Sequence, residues 1–468
     1  MSLSKLSAVA SLVLLASAAP QISLPPLIPA IPSVTIPLLP GVAPPLPVLQ
    51  VPTPPLDSPS HPFNTTLKPK KIGHFWVGAG DKAHKDFLAS YSLDDDTFGE
   101  LINIADVPSS GNEPHHSGPS ADGKYIWGGG LLSLLKTQDT GYYFDSSDPY
   151  RPKYLKSDRA LLSAISDDVV AKPGGGFFYT YMGSAVGTSP GRLVETDENY
   201  NIIHQWPEDV AGTLNVLGSQ FSPHGLSIDF EKGVILTSDF VVPLSVLKPS
   251  LGVVGANTVR VWDLKSRKIV NTLTIPNGNG IQDVKFIPGH PESAALASAV
   301  GLGEVWIIYP FRKDSSGKQG TIERFFSFGT NFQNKVAIFS DITKDGKYAY
   351  FTSTTGNHVG QLDISDVNNP KRLDNPNEVH PTIGPHFIKV TPDQKHVVIV
   401  DYFLQTGDIG IVNTPSDFKI HYADIQPNGS LKFGRTISFA EQFPERGGAR
   451  PHSVSIFDLS NPAAPKYF

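Results

Sequence analysis

From about Lys71 to Phe468 the apolar residues come in short runs, separated by Gly, Asp, Asn and Pro. The 3.6-residue spacing of an amphipathic helix is almost absent, so the pattern predicts strands joined by turns. One unit recurs: a polar Ser/Thr-x-Asp-Gly-Lys turn followed by an apolar strand. It appears as Ser120-Ala121-Asp122-Gly123-Lys124 before Tyr125-Ile126-Trp127, and as Thr343-Lys344-Asp345-Gly346-Lys347 before Tyr348-Ala349-Tyr350-Phe351. Worn copies are Thr391-Pro392-Asp393-Gln394-Lys395 and Asp229-Phe230-Glu231-Lys232-Gly233. A second unit is an alternating strand ending in Asp and returning through a basic strand. Examples are Tyr142-Tyr143-Phe144-Asp145 to Pro152-Lys153, Val359-Gly360-Gln361-Leu362-Asp363 to Pro370-Lys371, and Val454-Ser455-Ile456-Phe457-Asp458 to Pro465-Lys466.

Together the two units make a four-stranded antiparallel sheet. At roughly 50–60 residues per unit, about 400 residues hold about seven of them. Sheets repeated radially form a β-propeller, which leaves few strand edges exposed. The expected fold is therefore all-β, a seven-bladed β-propeller over residues 67–468. Six or eight blades also fit the count, and a pair of β-sandwiches is the weaker alternative. Phe75, Trp76, Trp127 and Trp262 are expected in the blade cores.

The first residues follow a different pattern. Lys5, the apolar run Leu6 to Leu15 and the small-x-small Ala16-Ser17-Ala18 read as a signal peptide over residues 1–19. An uncleaved N-terminal anchor is the alternative. Residues 20–66 are Pro-rich, with Pro25, Pro26, Pro29, Pro32, Pro37 and Pro40 set among Leu, Ile and Val. Proline fixes φ and removes backbone donors, so this segment is read as an extended spacer or propeptide. Its apolar character suits docking on the domain or contact with a wall polymer. No later apolar run is long enough to span a bilayer. Asn64-Thr65-Thr66 and Asn428-Gly429-Ser430 are glycosylation acceptor triplets. A secreted, extracellular protein is expected.

Composition narrows the chemistry. The 468 residues carry 38 Lys+Arg against 44 Asp+Glu, a net charge of -6, which with no basic run speaks against a nucleic-acid surface. The chain has no Cys, which removes disulfides, thiolate nucleophiles and Cys-ligated metals. Gly128-Gly129-Gly130 and Gly174-Gly175-Gly176 do not open helices and are not phosphate loops. Asp94-Asp95-Asp96 lacks EF-hand spacing and reads as a solvated turn. No Gly-x-Ser-x-Gly elbow is present. Chemistry falls to His, carboxylates, hydroxyls or a bound metal.

The histidines carry the strongest signal. His115, His224 and His386 each follow a Pro and lie seven residues before the acid at the turn position, and Arg450-Pro451-His452 repeats the Pro-His step. First strands line the axis of a propeller, so four such rings from four blades converge on one point. A single Pro-His serves equally well to hydrogen-bond buried backbone; four in register favour a shared ion, and imidazole suits Cu, Fe, Zn or Ni. His358, His380 and His421 fall outside the register and are expected on the surface or in loops. His61, His74 and His84 are not expected to be ligands. Asp167, Asp168 and Asp341 are candidates to hydrogen-bond the ligands.

These segments resemble the selenium-binding protein / methanethiol oxidase family over most of the chain from about Lys71. Glu113-Pro114-His115-His116-Ser117-Gly118 looks like its His-His-Ser-Gly segment. Val259-Arg260-Val261-Trp262-Asp263-Leu264 is similar to its Val-Trp-Asp strand, and Leu362-Asp363-Ile364-Ser365-Asp366 to its Tyr-Asp-Ile-Ser-Asp hairpin. Ala449-Arg450-Pro451-His452 resembles its Ala-His segment. The resemblance implies a seven-bladed propeller, a His-held copper centre, and oxidation of methanethiol with O2 and water to formaldehyde, hydrogen sulfide and hydrogen peroxide. By matching position it implies His115, His116 and His452 as metal ligands. The chain departs from the family where its His-Thr-x-His-Cys segment would stand: Ser166-Asp167-Asp168-Val169-Val170 is there instead. His224 and His386 lie outside the family pattern. A four-His set is similar in ligand type to the iron centre of carotenoid and stilbene cleavage dioxygenases.

The expected function is a metal-dependent oxidoreductase that acts on a small thiol, or another small organic molecule, with O2. Its centre would be copper, alternatively iron, held by His115, His116, His224, His386 and His452. A non-catalytic binding propeller or a lactonase-like hydrolase is the alternative.

Overall fold

Each Asp-Gly turn joins the first two strands of a sheet. In the first, the Ser120 hydroxyl donates to Asp122 Oδ1 (2.7 Å), and the same carboxylate accepts the Lys124 amide (3.2 Å). Thr343 with Asp345 and Thr391 with Asp393 repeat the bond at 2.7 and 2.6 Å. The turn needs a left-handed residue: Gly123 and Gly346 take φ of 69° and 70°, and Gln394 takes 62° where the copy lacks Gly.

The computed structural model describes residues 53–208, 220–243, 245, 254–329, 332–333, 335–407 and 412–468. The expected signal peptide and most of the Pro-rich segment lie outside these residues. Residues 53–66 run without regular structure against the propeller. The Leu56 amide bonds Ala83 O (2.9 Å) and the Asn64 amide bonds Leu101 O (2.9 Å).

Among the described residues, 29 strands, β1–β29 in chain order, form seven antiparallel sheets. Six are continuous four-stranded blades: β4–β7 (residues 114–158), β8–β11 (163–206), β12–β15 (223–274), β16–β19 (281–327), β20–β23 (340–372) and β24–β27 (388–438). The seventh joins the two ends of the fold. Its order is β29 (Lys466–Tyr467), β28 (Ala449–Asp458), β1 (Lys71–Ala79), β2 (Phe87–Ser92), β3 (Leu101–Asp106). First strands of successive blades touch one another, and β28 touches β4 and β25, so the circle closes. This is the expected seven-bladed propeller.

Phe75, Trp76, Trp127 and Trp262 are buried between sheets. The Trp76 indole also explains the glycine run. Its Nε1 donates to Gly129 O (2.8 Å), and a Cβ on Gly128 would sit 2.9 Å from the ring. His358 and His421 are buried in strands, contrary to the surface or loop placement expected, and His380 lies in a loop as expected but is buried there. His358 Nε2 pairs with Asp374 (2.8 Å), His421 Nε2 with Asp401 (2.9 Å), and His380 stacks on His358 at 3.8 Å. A histidine paired with a buried carboxylate satisfies both groups, so it stays inside without being a ligand.

Candidate metal centre

The histidines reach the axis because the first strands are irregular there. In a regular strand, neighbouring side chains point to opposite faces. Here one extra residue is inserted between Pro114 and Ser117, between Ser166 and Val169, between Pro223 and Leu226, and between Ile281 and Val284. In β28 the pairing steps from Ser453 to Pro451 and skips His452. Such bulges re-aim side chains. The consecutive rings of His115 and His116 consequently stack, with centroids 4.6 Å apart and planes at 14°.

Hydrogen bonds between blades fix the equivalent backbone positions. The Thr180 hydroxyl donates to His224 O, Ser238 to Gln282 O (3.2 Å), Ser298 to Ile338 O (2.8 Å), Thr352 to His386 O (2.6 Å) and Ser453 to His115 O (2.7 Å). Reading these bonds with the bulges gives one axial residue per blade: His115, Asp167, His224, Gln282, Ile338, His386 and His452.

His115, His116, His386 and His452 each place a ring nitrogen within 4.8 Å of the others. His224 falls in a second group under the same limit, with His115 and Asp167. Ring centroids of His115 and His452 are 3.9 Å apart, and those of His386 and His452 are 4.9 Å apart. Asp167 Oδ1 lies 3.2 Å from His115 Nε2 and 3.4 Å from His224 Nε2. Asp167 is therefore an axial group itself. Sequence reasoning placed it among candidate supports because no Pro-His marks its blade; the Asp at the bulge was the signal.

The other two acidic candidates are engaged elsewhere. Asp168 Oδ1 is 3.9 Å from His116 Nδ1, but its Oδ2 accepts the Leu226 amide (3.1 Å) and pairs with Lys285 (3.0 Å). Asp341 Oδ2 accepts the Val390 amide (2.7 Å), clasping two blades, and lies outside both donor groups.

All five rings are buried and favour the neutral form. Burial, reinforced by the neighbouring imidazoles, holds His115, His116 and His386 well below the usual range. Burial pushes His224 and His452 down to about 3. Burial and then the Asp168 charge push Asp167 well above the usual carboxylate range; the Met182 amide, which approaches without completing a hydrogen bond, opposes them. Neutral rings keep their lone pairs available.

Those lone pairs have no protein partner. Both nitrogens of His115, His116, His224 and His386, Nε2 of His452, and both oxygens of Asp167 are buried and complete no hydrogen bond. Each such group costs about 1–3 kcal/mol if left alone. So many on one axis, all of ligand type, fit a bound transition metal. Phe339 at 4.8 Å from His116 and Phe403 at 4.3 Å from His386 form an apolar wall. An apolar pocket of about 50 Å³ opens on His115, Asp167 and His224 and is lined by Leu131, Met182 and Phe403.

A further network lies beside the rings. The Tyr402 hydroxyl bonds Glu113 Oε2, Lys82 Nζ is 3.1 Å and Arg450 Nη1 3.4 Å from Oε1, and the Tyr402 ring stands edge-on to His452 at 6.1 Å.

No family model matches the chain. A methanethiol oxidase of Hyphomicrobium sp is 24% identical over 341 residues, 67% of this chain and 72% of that one. A methanethiol oxidase of Ruegeria pomeroyi is 25% identical over 322 residues, 63% of this chain and 70% of that one. Among solved structures, a hypothetical selenium-binding protein of Sulfolobus tokodaii superposes with TM-score 0.65 at 17% identity, over 84% of this chain and 94% of that one. A periplasmic gluconolactonase of Pseudomonas aeruginosa gives 0.56 at 11% identity, over 82% and 99%, and shares the fold alone. With a seven-bladed frame and a buried His cluster on its axis, the chain is similar, at a distance, to the selenium-binding protein / methanethiol oxidase family.

Proposed function

We propose that this protein is a secreted, metal-dependent oxidoreductase that oxidises a small thiol with O2, in the manner of its methanethiol oxidase relatives. The observation that carries this reading is the buried set of ring nitrogens and carboxylate oxygens without partners, of which those of His115, Asp167 and His224 line a pocket of about 50 Å³. Pockets for larger organic ligands measure about 300–1,000 Å³. One this small admits only a few heavy atoms, as methanethiol and O2 have. Its apolar lining suits both.

Methanethiol, O2 and water give formaldehyde, hydrogen sulfide and hydrogen peroxide. The C–S bond breaks, carbon loses two electrons, and O2 gains them. His115, His116, His224, His386 and His452 would hold copper, or alternatively iron, which would supply the redox couple. Asp167 is the carboxyl group on the pocket and is placed to orient the thiol there. The neutral rings hold their lone pairs on the axis, and the phenylalanine wall keeps bulk water from the reacting atoms. Asn64 and Asn428 are exposed and are proposed as glycan acceptors of the secreted form.

The test is metal analysis of the purified protein with oxygen uptake on methanethiol. Stoichiometric copper or iron, with thiol-dependent uptake and release of formaldehyde, sulfide and peroxide, supports the reading. Absence of a transition metal, or lactone hydrolysis with no oxygen consumed, overturns it. Cleavage near residue 19 and a mass shift on glycosidase treatment test the secreted form.

A further inference from the structure

The axial cluster is two donor sets with different surroundings. His116, His386 and His452 face Phe339, Phe387 and Phe403, and none of the three lines the apolar pocket. His115, Asp167 and His224 all line it. The second set therefore has a side open to this pocket, and the other three rings do not reach it.

Asp167 also differs from other buried acids in that neither of its carboxylate oxygens completes a hydrogen bond. Asp168 pairs with Lys285 (3.0 Å), Asp239 with Arg260 (2.9 Å), Asp374 with Arg372 (2.7 Å) and Asp401 with His421 (2.9 Å). Asp167 has no lysine or arginine in range among the described residues. The ionisable groups in ion-pair range are His115 Nε2 and His224 Nε2, at 3.2 and 3.4 Å. A buried carboxylate is stable when a cation pairs with it. Four imidazoles around an ion supply no negative charge; Asp167 supplies one on the pocket side.

We propose that His115, Asp167 and His224 form a second cation site, distinct from the one built by His116, His386 and His452, with His115 offering one ring nitrogen to each. Both nitrogens of His115 are without partners, as this requires. Two imidazoles and a carboxylate suit a divalent transition metal such as iron, zinc or manganese. Three protein ligands leave coordination positions open, and here these face the pocket. The inference rests on the oxidoreductase reading and deepens it by assigning the small substrate to this second site rather than to the imidazole set.

The test is titration of the metal-free full-length protein with Co2+, followed by its visible absorption and by elemental analysis. Two equivalents per chain are expected. Asp167→Asn, which keeps the side-chain volume, and His224→Gln should each reduce this to one. His386→Gln should remove the other equivalent and leave the one that depends on Asp167. Near-ultraviolet circular dichroism identifies a variant that fails to fold, and the two pocket-side variants then stand in for one another. A single equivalent in the wild type, lost alike in Asp167→Asn and His386→Gln, overturns the proposal, as does a count of two that Asp167→Asn and His224→Gln leave unchanged. Two equivalents without thiol oxidation would sink the functional reading and leave this one. Thiol oxidation with one equivalent would do the reverse.

Discussion

Thr352, on the second strand of one blade, donates its hydroxyl to the carbonyl oxygen of His386 in the next blade, at 2.6 Å. The Thr352 hydroxyl oxygen in turn accepts the Phe339 amide at 3.1 Å. Thr352→Val keeps the shape and removes both bonds. Unfolding in denaturant should show a loss of about 1–3 kcal/mol, the cost of leaving buried groups unmade. Thr352→Ser should stay near the wild type. A valine variant as stable as the parent would show that the bond does not hold the ring position.

A metal held by the axial histidines would bind only the folded ring, so its removal should lower stability. At a free ion concentration 100 times Kd the bound form gains about 2.7 kcal/mol. Dialysis against a strong chelator should therefore lower the melting temperature, and re-addition should restore it. His452→Gln removes Nε2 from the first donor set and should blunt this response. A melting temperature indifferent to chelator in the wild type would contradict the expectation.

His74 gives a pH dependence separate from the candidate ligands. Burial pushes its pKa down to about 3, and its Nδ1 shares a hydrogen bond with Ser90 Oγ at 2.8 Å. The unfolded chain titrates near 6.5. Above that pH both states are neutral and His74 has no effect. Below it the unfolded chain takes up a proton that the folded ring refuses, so stability falls as pH falls. Between pH 6.5 and 5 this amounts to about 2 kcal/mol for the one group. Raised carboxylates such as Asp86, pushed up to about 7 by burial, act in the opposite direction and are common to both proteins. The difference between wild type and His74→Gln isolates the histidine. Parallel stability curves from pH 7 to 5 would refute it.

Tyr402 bonds the buried Glu113 carboxylate and stands edge-on to His452. Tyr402→Phe preserves the ring and deletes the bond. A hydrogen bond to a charged group contributes about 1.5–3 kcal/mol, and denaturant unfolding should show that loss. Metal content should be unchanged, because Glu113 keeps Lys82 and Arg450. A variant that folds normally yet arrives without metal would give Tyr402 a role in holding the ion.

Much of the fold was legible because its turns are chemically specific. Ser120–Asp122 and Thr343–Asp345 use the same side-chain bond, and that bond needs those residue types. The Pro-His register marked His115, His224, His386 and His452 because each enters the innermost strand of its blade by the same Pro-His step, at a bulge for His115, His224 and His452. Asp167 enters at such a bulge without a proline. The division into two donor sets was not legible: it depends on which ring nitrogen turns toward Asp167, and side-chain direction is set by packing from several blades. The burial of His358 and His421 was missed for a related reason. Their partners, Asp374 and Asp401, lie 16 and 20 residues away.

The closing sheet sets a timetable. His452 belongs to β28, which completes its blade only by pairing with β1 near the other end of the fold, Phe75 opposite Val454. A nascent polypeptide lacking residues 449–458 has six blades, an open seam and three of the four imidazoles of the first set. An ion that needs His452 would thus be captured only after β28 has been made and the seam between β28 and β1 has shut.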